Sequence, residues 1–411
     1  MVVLQQVDSS EVSSELTPDA KRALAASIIG YAMDGFDLLI LGFMLKVISA
    51  DLGLTPPLAG SLVTWTLVGA VAGGMLFGVL SDYYGRVRIL TWTILLFAVF
   101  TGLCAFASGY WDLLIYRTIA GLGLGGEFGI GMTLVAETWP ASRRARACSY
   151  VALGWQAGVL AAALLSPVLL PVIGWRGVFL FGLVPGFLAF LVRWYVSEPG
   201  IFVDRTSTPR RSLPLWILVN NRASVKVSFG MLILCSVQNF GYYGLMIWLP
   251  TYLSTRFGYT LTQSALWTSA TVLGMGIGIW AFGVCADKLG RRPALFIFQA
   301  GAAIMVLLYS RLSDPSALLV GGAMMGVFVN GMLGGYGALL SELYPTEARA
   351  TAENVLFNLG RGVGGFGPVA VGALAATYSF AAAIALLASI YVIDILATAF
   401  LIPERKGEPL H

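Results

Sequence analysis

Ionisable side chains interrupt several long apolar stretches of this 411-residue chain, where each could do chemistry away from water. Asp34 and Asp37 stand three residues apart, so on a helix they project from one face, about 4.5 Å apart along the axis. Two carboxylates this close resist joint ionisation, so one of them can bind and release a proton near neutral pH. The alternative is that they only hold helices together through hydrogen bonds. The pair predicts a proton-binding site.

A later glycine-rich apolar stretch carries Arg117 and, ten residues further on, Glu127. Arg117 is expected to pair with Asp37 or Asp34, and protonation of that acid would release the pair. Glu127 is a second candidate for carrying the proton, or else a hydrogen-bonded polar residue between packed helices. We predict that these four charged residues couple protons to a conformational change.

Arg361 is a further cation inside an apolar stretch, and no acid of that stretch is an obvious partner. An always-charged guanidinium at this depth indicates an anionic ligand, unless an acid on another helix, such as Asp394, pairs with it. Polar and aromatic residues near the middle of neighbouring stretches would line the same cavity, which suits a small acid with an apolar or ring-shaped body. These residues are Asn358, Gln238, Asn239, Tyr242, Gln156 and Trp155.

The elements that carry these charges are predicted to be membrane helices. The chain is 58% hydrophobic and 11% charged, with a mean hydropathy of +0.82, whereas soluble domains have about 25% charged residues. The apolar runs lack strict alternation, which favours helices over a barrel. The predicted fold is an all-α membrane protein with twelve spans, at about residues 24–48, 57–80, 89–108, 113–137, 147–172, 177–197, 226–253, 262–285, 293–311, 316–341, 353–376 and 379–402.

An internal repeat divides the chain into two pseudo-symmetric halves of six helices each. The stretch Gly78…Asp82…Gly85-Arg86 returns 205 residues later as Gly283…Asp287…Gly290-Arg291, and Glu137-x-x-Pro140 returns at the same offset as Glu342-x-x-Pro345. Arg144 and Arg349 follow these two Glu-x-x-Pro stretches, again 205 residues apart. The predicted units are a tail at 1–22, halves at 23–198 and 226–402, a connector at 199–225, and a second tail at 403–411.

Lysine and arginine positions predict the orientation in the membrane. Most of the 25 basic residues fall at one side if both termini are cytoplasmic, as the positive-inside rule requires. The polar first 22 residues begin without a basic region, so they read as a cytoplasmic tail and not as a signal peptide. We therefore expect a multi-pass protein of the cytoplasmic membrane with both ends inside.

These motifs resemble the major facilitator superfamily over nearly the whole chain, through the paired loop motifs and Arg117-x3-Gly121-x-Gly123-x-Gly125. Asp34-Gly35-Phe36-Asp37 is similar to the proton-coupled organic-acid symporters, in their aromatic-acid and sialate/lactate branches. Gly360-Arg361 with Gly367-Pro368 is similar to the aromatic-acid branch. The resemblance implies that the loop cluster latches the cytoplasmic side in an outward-open state; the alternative is a loop that only sets topology. The predicted gate residues are Gly78, Asp82, Gly85, Arg86, Arg144, Asp287, Arg291 and Arg349.

The repeat also suggests a division of labour. The offset pairs Asp34 with Asn239, Asp37 with Tyr242, and Gln156 with Arg361. Equivalent positions therefore carry acids in the first half and neutral polar groups or a cation in the second. We therefore expect proton chemistry in the N-terminal half and carboxylate binding mainly in the C-terminal half.

The predicted function is secondary transport: import of a small organic anion with protons by alternating access. A proton-linked exporter of drugs or metabolites is the alternative, and aromatic, lactate-like and sugar acids all stay open as substrates. An enzyme is disfavoured, because the only histidine is the terminal His411 and the four cysteines match no metal site. No phosphate-binding loop is present, so ATP is not expected as the energy source. We expect no cofactor, no metal and no nucleic-acid partner, and a monomer in the lipid bilayer.

Overall fold

In this computed structural model of the protein, the described residues are 17–54, 56–183, 195–200, 202–203, 214–259 and 261–406. Every regular element within these ranges is helical. The long helices are α1 (Pro18–Leu52), α2 (Pro56–Tyr84), α3 (Arg86–Leu103), α4 (Tyr110–Thr138), α5 (Arg144–Leu180), α6 (Arg222–Phe257), α7 (Leu261–Leu289), α8 (Arg291–Tyr309), α9 (Pro315–Gly331), α10 (Leu333–Leu343), α11 (Arg349–Gly364), α12 (Gly367–Thr377) and α13 (Phe380–Leu401).

Eleven of the twelve predicted spans lie on these helices. The tenth span is divided between α9 and α10, and the eleventh between α11 and α12. The sixth predicted span, 177–197, falls mostly outside the described residues, as do most of the tail at 1–22 and parts of the connector at 199–225 and the tail at 403–411. Helix α5 kinks at Gly174, where a φ of 64° ends one helical run and begins another.

Eight helical segments of the described chain, with α9 and α10 counted together as one, are long and apolar enough to cross a membrane by length and composition. Helix is the expected state for them, because lipid offers no hydrogen-bond partners and each backbone group must pair within its own segment. Small residues let these helices approach closely. Gly125 of α4, for example, lies where any added methyl group would meet the carbonyl oxygen of Ala70 on α2.

The helix bounds themselves repeat. Helices α2 and α7 begin and end 205 residues apart, and α4 corresponds in the same way to α9 with α10. The packing repeats too, because α1 packs on α5 and α2 on α4, while α6 packs on α11 and α7 on α9. The domain boundaries at 23–198 and 226–402 stay predictions.

The two helix sets meet through α2 with α11, α5 with α7 and α10, and α4 with α10 and α11. The contact between the two helix sets is tight at the end of the molecule that carries the loop motifs. An added Cβ on Gly78 would lie 2.7 Å from the Cβ of Asn354, and one on Gly283 would lie 3.0 Å from the Cα of Arg146. The molecule is therefore closed between its halves at the end where the positive-inside rule predicts the cytoplasm.

Candidate functional site

A small central cavity, about 20 Å³ in volume, lies between the two sets of helices. Helices α1 and α5 contribute to its wall from one half, and α6, α9, α10 and α11 from the other. The lining residues are Tyr31, Trp155, Gln238, Asn239, Tyr242, Tyr243, Asn330, Leu333, Phe357 and Arg361. Five of the predicted substrate residues therefore come together in one place: Trp155, Gln238, Asn239, Tyr242 and Arg361.

Arg361 is the cation of this cavity. Its guanidinium lies 5.4 Å from the centre of the Trp155 ring and 5.2 Å from that of Phe357, so two aromatic faces flank it. No ion pair of the described residues involves Arg361, and Asp34 from the other half is its acidic electrostatic neighbour. Asp394, the alternative partner, is instead a neighbour of Gln299 and Tyr391. The arrangement places a buried cation between two aromatic rings.

Two predicted substrate residues do not line this cavity. Asn358 donates from Nδ2 to the carbonyl oxygen of Gly125 at 3.1 Å, so it joins α11 to α4. Gln156 is buried on α5, and neither atom of its amide has a hydrogen-bond partner among the described residues. Their roles in binding stay predictions.

Asp37 and Arg117 form a buried ion pair. Nη1 of Arg117 lies 2.9 Å from Oδ2 of Asp37, and the Thr101 hydroxyl donates to Oδ1 at 3.1 Å. Of the two possible acids, the arginine therefore pairs with Asp37 and not with Asp34. Arg117 therefore balances the negative charge of Asp37. The spacing of Asp34 and Asp37 along one helix was not enough to predict which acids interact with each other.

Asp34 is buried, and its Oδ1 has no hydrogen-bond partner among the described residues. Its charged neighbours are Glu127 of α4, Arg361 and Asp37. Glu127 accepts a hydrogen bond from the Thr93 hydroxyl at 3.2 Å and lies against Gly30, one turn before Asp34. The two acids that must share one environment are therefore Asp34 and Glu127, brought together from different helices.

At the closed end, the predicted gate residues form a network around Glu137. Arg86 binds both Asp82, at 2.9 Å, and Glu137, at 3.2 Å. Arg349 reaches across from α11 and places Nη1 2.6 Å from Oε1 of Glu137. Asp82 in turn accepts from the backbone and hydroxyl of Thr351, at 2.8 and 2.6 Å, at the start of α11.

A second network repeats this arrangement around Glu342. Arg291 binds Glu342 at 2.7 Å and Asp287 at 3.5 Å, and Arg144 of the other half binds Glu342 at 3.0 Å. Asp287 accepts from the backbone N–H groups of residues 145 and 146 at the start of α5. Each half thus offers an acid to a helix N-terminus of the other, and each receives an arginine.

The loop glycines shape this end. Gly85 has a φ of 109°, which L residues rarely adopt, and it separates α2 from α3. Glu198 lies against it and accepts hydrogen bonds from three backbone N–H groups at the start of α3, at 2.8 to 3.2 Å. Glu404 caps α8 in the same way beside Gly290.

Sequence reasoning assigned no site role to several of these residues. Glu137 and Glu342 marked the repeat, and that pattern could have identified them as partners of the repeated arginines. Tyr31, Asn330 and Phe357 carried no signal, because a polar or aromatic residue in an apolar helix looks the same whether it packs or lines a cavity.

Paired helix sets around a central charged cavity, closed at one end by matched ion networks, are the architecture of a membrane transport protein. The family comparison agrees: the model described as Major Facilitator Superfamily matches residues 27–284 and 253–411. The chain belongs to this superfamily, so it is a multi-pass membrane transport protein and not an enzyme. The predicted all-α fold of twelve membrane helices in two halves is thereby confirmed.

Individual relatives are similar along almost their full length. A Haemophilus influenzae protein named "Putative metabolite transport protein" is 64% identical over 95% of this chain and 97% of its own. The cis,cis-muconate transport protein of Acinetobacter baylyi is 28% identical over 95% and 96%. The solved structure of the proton:xylose symporter XylE covers 96% of this chain and 98% of that chain with a TM-score of 0.81, at 18% identity, which shows the shared fold.

Proposed function

We propose that this protein imports a small organic carboxylate together with protons, by alternating access across the cytoplasmic membrane of a bacterium. Both termini would lie in the cytoplasm, and the unit would be a monomer. The observation that carries the proposal is Arg361, a buried cation on the central cavity whose guanidinium no ion pair of the described residues neutralises. The muconate relative supports the choice of an acid as substrate.

The anion would bind where Arg361 can meet its carboxylate with paired N–H groups. The rings of Trp155 and Phe357 flank the guanidinium and would pack against an apolar or aromatic body. Amide groups of Gln238 and Asn239 on α6 supply polar contacts for the rest of the molecule. A planar unsaturated or aromatic acid suits this lining better than a polyhydroxylated one.

Protons would enter through the acids of the N-terminal half. Asp34 and Glu127 cannot both be ionised cheaply in one buried environment, so one proton shared between them lowers the cost. A substrate anion beside Arg361 would neutralise the cationic neighbour of Asp34 and so favour protonation of Asp34. When the proton leaves, Asp34 becomes negative again and competes with the substrate anion for Arg361, so the anion binds more weakly. Proton release and substrate release are therefore coupled.

The Asp37–Arg117 pair would act as a second proton-sensitive contact. Protonation of Asp37 would leave Arg117 without a counter-charge. Two other nitrogens of Arg117, Nε and Nη2, have no hydrogen-bond partner among the described residues. Breaking one partner of a buried pair costs about 3–5 kcal/mol, enough to change which conformation is preferred.

Uptake into proteoliposomes tests the proposal. We expect labelled cis,cis-muconate or benzoate to accumulate only when the outside is more acidic, with lactate and sialate as comparison acids. Arg361→Gln should remove binding of the carboxylate, measured as a ligand-induced rise in melting temperature. Glu127→Gln should preserve binding but remove the response to the pH gradient.

The matched control is Gln238→Ala, which changes the same cavity without changing its charge. It should weaken binding of the acid without abolishing it. Normal carboxylate binding by Arg361→Gln, or accumulation by the wild type that ignores the pH gradient, would contradict the proposal.

A further inference from the structure

Glu353 is a buried acid at the contact between the halves that the proposed cycle does not use. It lies in the second turn of α11, and its exposure is 0%. Its Oε1 is hydrogen-bonded to the hydroxyl of Ser341 on α10, while Oε2 has no partner among the described residues. Ionisation would place a negative charge on a fully buried carboxyl, whereas a protonated carboxyl is far cheaper to bury.

The charges around Glu353 are already balanced without it. The first gate network contains two cations, Arg86 and Arg349, and two anions, Asp82 and Glu137. Ionisation of Glu353 would give this buried cluster an excess negative charge beside Glu137. Charge balance therefore favours the neutral form of Glu353 while the gate is closed.

Groups on four helices lie close to Glu353. Helix α4 contributes Glu137 and the hydroxyl of Thr133, which lies close to the carboxyl of Glu353. Helix α5 contributes the buried thiol of Cys148, α10 contributes Ser341, and Arg349 stands four residues earlier on α11 itself. A proton on Oε2 would give the carboxyl a donor for a hydroxyl such as that of Thr133, across the contact between the halves.

We propose that Glu353 is a proton-binding site of the cytoplasmic gate, occupied while the gate is closed and emptied when it opens. Opening separates α4 from α11 and breaks the 2.6 Å contact between Arg349 and Glu137. Arg349 is then one helical turn from Glu353 and pairs with its carboxylate, while the proton from Oε2 passes to cytoplasmic water. The released proton thus leaves on the cytoplasmic side.

The repeat shows that this site exists in one half only. The offset of 205 residues pairs Glu353 with Cys148, which is equally buried but is a thiol with no charge to lose at neutral pH. The second gate network accordingly opens without releasing a proton. One proton per opening follows. The side of release rests on the proposed alternating access, whereas the proton binding itself does not.

Distance measurements between spin labels test this without any substrate. Tyr84→Cys on α2 and Leu289→Cys on α7 place labels on exposed residues, 59% and 53% exposed, at the gate end of the two halves. Cys285→Ser removes a partly exposed native thiol. Asp34→Asn with Glu127→Gln removes two other acids of the proposed proton path from the titration, while the Asp37–Arg117 pair stays the same in every variant compared.

In this background we expect the ratio of open to closed gate to rise with pH, by up to about tenfold per unit, as one linked proton requires. Glu353→Gln imitates the protonated acid and should leave the gate closed at every pH. The matched control is Asp394→Asn, an acid equally buried among groups of the C-terminal half alone, and it should keep the pH dependence. An unchanged pH response in Glu353→Gln, or its loss in Asp394→Asn, would overturn the proposal.

An infrared measurement provides the second test if Glu353→Gln does not fold. In the background with Asp34→Asn, Glu127→Gln and Asp394→Asn, the carbonyl band of a protonated buried carboxyl should persist while the gate is closed. That band should disappear as pH rises and the label distances lengthen. Absence of the band at low pH would refute proton binding at Glu353. Because no carboxylate substrate is added, these outcomes are independent of whether the uptake experiment succeeds.

Discussion

The contact between Arg349 and Glu137 offers a quantitative test of how the gate is held closed. The two side chains belong to different halves, both are fully buried, and Nη1 and Oε1 lie 2.6 Å apart. A hydrogen bond between charged groups contributes about 1.5–3 kcal/mol. If opening breaks it, its removal should raise the ratio of open to closed gate by about 10- to 150-fold.

A double-mutant cycle isolates this contribution, because Glu137 also binds Arg86. The cycle uses Glu137→Gln, Arg349→Gln and the double variant, each carrying spin labels at positions 84 and 289. The pH is held low, so that the protonation state of Glu353 stays constant. The measured quantity is the coupling free energy in the gate equilibrium, and not the melting temperature, which also reports cavities and local packing.

The control is the pair of Asp51 and Arg176, which has the same 2.6 Å separation but is 45% and 46% exposed and lies within one half. Asp51→Asn should leave the open-to-closed ratio unchanged, since opening does not separate these two residues. A Glu137–Arg349 coupling below about 0.5 kcal/mol, the value typical of exposed pairs, would refute the reasoning that a buried cross-half pair holds the gate.

Two further changes have defined outcomes. Gly78→Ala should favour the open gate by about 1–3 kcal/mol in the label measurement, because its Cβ would lie 2.7 Å from that of Asn354; Gly109→Ala, with nothing within 4 Å, should have no effect. An unchanged ratio for Gly78→Ala would show that the helices can move apart without opening. Glu198→Gln should weaken the cap of α3 by about 1 kcal/mol and speed amide hydrogen exchange in its first turn about fivefold. Unchanged exchange there would mean that the capping carboxylate adds nothing.

The sequence predicted the helices well because lipid leaves the backbone little choice. An apolar run such as the one in α2 must satisfy its own hydrogen bonds, so its hydropathy alone locates it. The glycines of the loop motifs were equally readable, because a φ of 109° at Gly85 is a local demand that few residues meet. The break between α11 and α12 was also marked, by Gly367-Pro368 at the start of α12, although the sequence analysis used these residues only for the family resemblance.

The partners of the charged residues were harder to predict. Asp34 and Asp37 were grouped by their spacing along one helix, yet Arg117 pairs with Asp37, and Glu127 of α4 is a further acidic neighbour of Asp34. Arg361 was recognised as a cation without a local partner, but its flanking ring of Phe357 was not. Contacts between distant parts of the chain depend on helix rotation and tilt, which a sequence pattern does not encode.

By itself, the sequence determined that this is a membrane protein of two similar halves, that basic residues crowd one side, and which charges are buried in apolar stretches. Only the tertiary structure decided which charge meets which. In the folded protein, Arg144 of the first half binds Glu342 of the second, Arg349 of the second half binds Glu137 of the first, and Arg361 lines the cavity. The tertiary structure also set Glu353 beside an already balanced network. The physical reason is range: hydropathy acts residue by residue, whereas the energy of a buried charge depends on every group within a few ångströms, whatever its position in the chain.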